Sequence, residues 1–320
     1  MNTPPRSKSR WNGIAHSLGL GLLLFLVACQ SPRLIEKRKP QTEDDTISHL
    51  LNPRRLTRET RLQLRLEGFG EHRSRHDSIE KIRKLEESLG FDPPIARRTA
   101  LAEWLSDAAG RCKASEPETA FEFYLRTARM AFPAAIDASF QAHDDDLLAL
   151  YNHACGQVAE LIYLQRIKEG RSGSFSWRVV ETAPEQLDPS SFNELKVAEY
   201  LKIKGYARRE VELGVGGALV GQWDHEKGHE KSQPFVPRIG MALPVTAVID
   251  FPDSRVAEIR FYDTMLATHA RLGASIVPLA SDLTAPLALV MTLRPSRNIG
   301  IKSMLRPADY LELCGLYQLE

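Results

Sequence analysis

The chain has 320 residues, of which 43% are hydrophobic and 26% charged, about two domains' worth of chain and enough to bury a sizeable core. Its 42 basic and 41 acidic residues leave a formal net charge of +1. So even a balance excludes the global electrostatic footprint that nucleic acid or an acidic substrate would call for.

The opening MNTPPRSKSR carries Arg6, Lys8 and Arg10 without an acid, and the apolar segment after it is densest from Leu18 to Ala28. That order is a charged n-region followed by an h-region. A bilayer-spanning helix needs ~20 apolar residues and this core offers roughly half of that, before Gln30, Ser31, Pro32 and Arg33 break it. A permanent transmembrane helix is therefore not expected. Leu26-Val27-Ala28-Cys29 places a small residue directly before a cysteine, and the stretch resembles the lipobox of bacterial lipoproteins. The resemblance implies a signal peptide over 1–28, a diacylglycerol on the Cys29 thiol and an acylated new amino terminus. Several acyl chains anchor a protein stably where one does not, so the membrane is an expected partner. Gln30 rather than Asp follows the cysteine. In Gram-negative lipoproteins Asp at that position favours retention at the inner membrane, so the outer membrane is the expected site.

Residues 29–76 are polar and in places strongly basic, as in EKRKPQ, NPRRLTRETRLQLRLEG and EHRSRH. They read as a solvated tether with a short helix near Leu56 to Leu66. Over 77–170 the texture is helical: SIEKIRKLEESLG, IARRTALAEWLSDAAG, ETAFEFYLRTARMAF and DDDLLALYNHACGQVAELIYLQRIKEG. In the last of these Leu147, Leu148, Tyr151, Cys155, Val158, Ala159 and Ile162 recur at three- and four-residue spacing, an amphipathic stripe with acids at its amino-terminal end. Pro93, Pro94, Pro117 and Pro133 are expected to separate the helices. No reproducible 34-residue signature supports a tetratricopeptide array, and a small helical layer is expected instead.

From 171 to 320 the pattern is that of strands. SFSWRVVE alternates Phe175, Trp177 and Val179 on one face, and LPVTAVIDF and VAEIRFYD flank the turn Pro252-Asp253-Ser254. ARLGASIVPLA and APLALVMTL are read as further strands. The expected fold class is α+β, an N-terminal helical layer followed by a β-rich region.

Candidate chemistry is sparse. HEKGH, His225 to His229, matches H-E-x-x-H, in which His225 and His229 on one helix face would hold zinc and Glu226 would act as general base. Its neighbours, Gly221, Gly228 and the polar EKSQP, read as a loop, where i and i+4 imidazoles do not converge. Neither a metal nor any other cofactor is therefore expected. GVGGALVG, Gly214 to Gly221, lacks the third glycine of a dinucleotide fingerprint and the Gly-Lys-Ser/Thr ending of a P-loop, so a closely packed turn is expected. No G-x-S-x-G nucleophile elbow occurs in the sequence, and no catalytic residue is nominated. With Cys29 lipidated, Cys112, Cys155 and Cys314 form an odd set without metal or framework spacing. One bridge is open to them, and small buried thiols are the expected role.

The segments LYNHACGQVAELI, GVGGALVG, FVPRIGMALPVTAVIDF, VPLASDLTAPLALV and LCGLYQLE, spread over Leu101 to Glu320, resemble the N-terminal accessory region of large bacterial α/β-hydrolase proteins, often lipoproteins. In that group a helical and a β-rich region precede the catalytic domain. The His-Gly loop, nucleophile elbow, acid and histidine of the group have no counterpart in this sequence. The resemblance implies a lipid-anchored accessory module without activity of its own, either the front part of a split hydrolase with a separately encoded α/β-hydrolase domain as partner or a region that serves alone. A zinc hydrolase built on HEKGH and a helical protein-binding scaffold with an exposed apolar groove are the alternatives.

Overall fold

A computed structural model describes residues 35–37, 56–68, 84, 93–137, 145–173, 175–203, 209–223 and 241–292. Cys29, His225, Glu226, His229, Cys314 and all but one residue of the helix read in SIEKIRKLEESLG lie outside them.

Helices come first and the strands that build the sheet follow, as the composition pattern implied: the fold is α+β. Helix α1 (Arg58–Leu66) starts where the Thr57 hydroxyl accepts from the Thr60 N–H at 3.2 Å, with Glu59 in its first turn and Arg65 in its last. Both charges suit the helix dipole. Helix α2 (Ile95–Cys112) follows Pro94, and α3 (Pro117–Ile136) opens on Pro117, where the missing N–H costs nothing. Pro133 does not separate α3 from its successor, because the helix continues to Ile136. In the final turn a proline removes one i→i−4 bond, and the burial of Ala131, Phe132, Ala134 and Ala135 around it offsets that loss.

Helix α4 (Asp145–Gln165) is more enclosed than its amphipathic stripe suggested. Besides that stripe, His153, Ala154, Gln157 and Leu161 are buried. The cause is position: α4 packs against α3 on one side and lies on the sheet on the other.

The main sheet has the order β2-β3-β9-β8-β7-β4. Its strands are β2 (Glu169–Ser172), β3 (Phe175–Val179), β4 (Glu194–Val197), β7 (Gly217–Trp223), β8 (Met241–Asp253) and β9 (Val256–Asp263). Only β3 and β9 run parallel; the other neighbours are antiparallel. Phe175, Trp177 and Val179 do share a face, and Trp177 meets Phe121 of α3 with ring centroids 4.8 Å apart. The registers Trp177↔Ala257, Ile249↔Ile259 and Leu219↔Val245 carry that helix-facing side across the sheet. LPVTAVIDF and VAEIRFYD are neighbouring antiparallel strands, as read.

The opposite face is covered as well. The hairpin of β10 (His269–Leu272) and β11 (Ser275–Pro278), turned at Gly273 with φ 54°, confirms ARLGASIVPLA as strand-forming. APLALVMTL is not a strand: helix α5 spans Thr284–Thr292. The Asp282 carboxylate accepts from the N–H groups of Thr284 and Ala285 at 3.1 and 3.0 Å, which satisfies two open donors at a helix start. A short apolar run has no period to tell helix from strand. Ala285 and Leu289 of α5 pack with Val220, Ala198 and Leu201 in a second core on this outer side. Two ribbons complete the layer: β12 (Ser281–Asp282) with β6 (Val211–Glu212), and β1 (Ile35–Lys37) with β5 (Leu201–Ile203).

Part of the segment read as a tether is thus built into the body. Ile35–Lys37 form β1, and α1 is docked on α2: Glu103 accepts from the Thr57 N–H and hydroxyl and from the Thr60 hydroxyl, and Leu64 is buried. Sparse apolar residues hid this, because the docking rests on one buried carboxylate and two hydroxyls.

Candidate functional site

The polar side chains that α4 carries into the core are the densest candidate cluster among the described residues. His153, Gln157 and Glu160 stand at i, i+4 and i+7, one above another on one helix face. His153, 4% exposed, meets the Glu199 carboxylate through Nδ1 at 2.7 Å. Its ring lies edge-on to Tyr124 and Tyr200, with centroids 5.9 and 6.5 Å away. Gln157 donates through Nε2 to the Tyr200 hydroxyl at 2.8 Å, and its amide oxygen accepts from Lys113, which also pairs with Glu160. The end of α2, the helix α4 and the 3-10 turn Ala198–Tyr200 are joined by this chain of bonds.

Such a network is able to fix the orientation of the His153 and Tyr200 rings. Burial pushes the Tyr124 and Tyr200 phenols far above their ordinary range, so both remain neutral hydroxyls. Fully satisfied buried networks rigidify the elements they join. With Lys113, Gln157, Tyr200 and Glu160 bonded in one set and His153 paired with Glu199 beside it, the chemistry on view is that of a clamp.

Residues on neighbouring positions of α4 fix the sheet. The Tyr151 hydroxyl donates to Ile249 O at 2.7 Å and accepts from Ile249 N–H at 3.1 Å. Asn152 donates to Gly214 O and accepts from the Gly216 N–H at 2.9 and 2.6 Å. GVGGALVG is therefore closely packed, as expected, but most of it is strand β7 rather than a turn. Only Gly216, at φ 107°, needs glycine for its backbone conformation. The run cradles Asn152, not a phosphate.

Cys112 and Cys155 are buried thiols, as read from the sequence. Burial pushes the Cys155 thiol up to about 12, so it is not a nucleophile at neutral pH. No group of three or more His, Cys, Asp and Glu able to hold a metal exists among the described residues. HEKGH falls in 224–240, the connection between β7 and β8, whose ends Trp223 and Met241 are paired.

The sequence did not nominate His153, because its partner Glu199 is 46 positions away. A signal was nonetheless present, since His, Gln and Glu recur at helical spacing in an otherwise apolar segment. Among the described residues of the helical layer the exposed large apolar side chains are Leu62 and Leu66 of α1 and Leu164 of α4. The outer layer exposes more: Val211, Leu213, Leu283 and Leu287 stand open around β6 and the start of α5. No family model, no curated protein and no solved structure matches this chain.

Proposed function

We propose that this chain is a lipid-anchored protein of the cell envelope, held at the outer membrane through Cys29, whose folded body is a non-catalytic accessory module for a separately encoded α/β-hydrolase domain. The observation that carries the anchor is the run Leu26-Val27-Ala28-Cys29 behind a basic opening and a short apolar core. The accessory role draws support from the use of the buried polar groups. His153, Glu199, Gln157 and Tyr200 hold the fold's own elements together, and the Cys155 thiol is enclosed.

Replacing Cys29 by Ser tests the anchor. The parent enters the detergent phase on Triton X-114 separation and carries the mass of its acyl chains, whereas Cys29→Ser stays aqueous as the uncleaved precursor. A variant that partitions like the parent would refute the anchor. Steady turnover of p-nitrophenyl butyrate by the purified chain alone would refute the non-catalytic reading.

A further inference from the structure

Helix α1 is held by one side and shows the other. Thr60 and Leu64, four positions apart, are its buried residues. Three hydrogen bonds from Thr57 and Thr60 to Glu103 fix its start, and Glu67, just past its end, pairs with Arg97 of α2 at 2.6 Å. Tied at both ends, the helix presents its opposite side already ordered.

That opposite side joins cations to large apolar groups. Arg58, Arg61, Leu62, Arg65 and Leu66 are all exposed, Leu62 at 59% and Leu66 at 74%. They occupy positions i, i+3, i+4, i+7 and i+8, which at roughly 100° per residue fall within an arc of about 140° on one helix face. Within the arc the three arginines form one flank and the two leucines the other. Glu59 is the single acid among the nine residues of the helix. A surface helix ordinarily carries polar residues opposite its docked face, and here Leu62 and Leu66 share that place.

We propose that this face of α1 is a contact for an anionic lipid surface, with the arginines at the headgroup phosphates and Leu62 and Leu66 among the upper acyl segments. Charge complementarity and the leucines together select the partner. Basic and apolar groups side by side on one helix are the pattern that lies in a lipid interface, and each arginine close to an anionic surface strengthens binding by about fivefold. A polynucleotide would match the arginines but leave both leucines in water. The contact needs no acyl chain, so it stands apart from the lipid-anchor reading and adds a lipid-selective attachment to it.

Fluorescence tests this directly. Trp104, Trp177 and Trp223 are buried, so the emission that Leu62→Trp adds to the full chain reports on this face. The chain is mixed with vesicles of brominated lipid, either phosphatidylcholine alone or phosphatidylcholine with phosphatidylglycerol. In the mixed vesicles the added emission shifts to the blue and loses at least half its intensity, and in phosphatidylcholine alone it does neither. Sodium chloride at about 1 M, which shortens the Debye length to about 3 Å, at least halves the quenching without any change of residue. Replacing Arg58, Arg61 and Arg65 by Gln lowers it likewise. Emission that is not quenched in the mixed vesicles overturns the proposal: red-shifted, it leaves the face in water, and blue-shifted, it places the face against protein. Quenching that is equal in the two kinds of vesicle and indifferent to salt also overturns it, because the arginines then select nothing. Flotation with phosphatidylcholine alone is a separate reading, and its failure removes the acyl anchor without touching the result for α1.

Discussion

Asp107 of α2 has one carboxylate oxygen paired with Arg111, while the other, Oδ1, is buried without a hydrogen-bond partner among the described residues. Burial pushes this group up to about 6 against the pull of Arg111, with Glu103 adding to the rise. A raised carboxyl pKa means the fold prefers the protonated form. Between the ordinary value of 3.8 and about 6, the unfolded chain releases its proton first, so stability falls as pH rises and stays lower above that window. Two pKa units correspond to at most about 3 kcal/mol. Asp107→Asn, which removes the charge, is therefore expected to stabilise the protein by about 1–3 kcal/mol at pH 8 and to change little at pH 4. Urea unfolding at the two pH values measures this. An Asn variant no more stable than the parent at pH 8 would show that the buried charge is not a burden on the fold.

At the scale of elements, the packing of α4 on the sheet depends on two glycines that differ in what surrounds them. A Cβ on Gly217 of β7 would overlap the Gly156 backbone and come within 2.9 Å of Asn152 O. Backbone on both sides cannot yield without parting helix from strand. A Cβ on Gly156 would meet chiefly the side chain of Val197, at 3.3 Å, which has room to adjust. Gly217→Ala is expected to cost about 2–3 kcal/mol, whereas Gly156→Ala stays within about 1 kcal/mol of the parent because alanine's helix propensity offsets the crowding. Equal losses in the two variants, read from urea midpoints, would contradict this packing. The same contrast separates what was legible in the sequence from what was not. Phe175, Trp177 and Val179 announced their strand because one face of β3 is buried and alternation records that. The stripe on α4 announced a helix but not its enclosure, since a stripe reports one covered face and α4 has two. APLALVMTL carried no period, and its helix is set by Asp282, a capping side chain just ahead of it. The His153–Glu199 pair depends on a contact across 46 positions, for which local spacing holds no information.

For the whole molecule, the order of layers gives the basic N-terminal segment a mechanical role. Strand β1 fastens it to the outer face through β5, and α1 fastens it again to the helical face through Glu103, Thr57 and Thr60. The chain is thus tied to both faces of one body, and on the proposed anchor at Cys29 six positions separate the lipid from Ile35. If that span orients the body, lengthening it must loosen the orientation without touching the anchor. Twenty Gly and Ser residues inserted after Ser31 make a leash whose root-mean-square length is about 28 Å and whose full reach is several times the original. Flotation with vesicles should be unchanged, while the protein layer on a supported bilayer, read by neutron reflectometry, should thicken. A layer no thicker than the parent's would mean that the span from Cys29 to Ile35 does not set the position of the body, and the short connection would then be a consequence of the fold rather than the device that orients it.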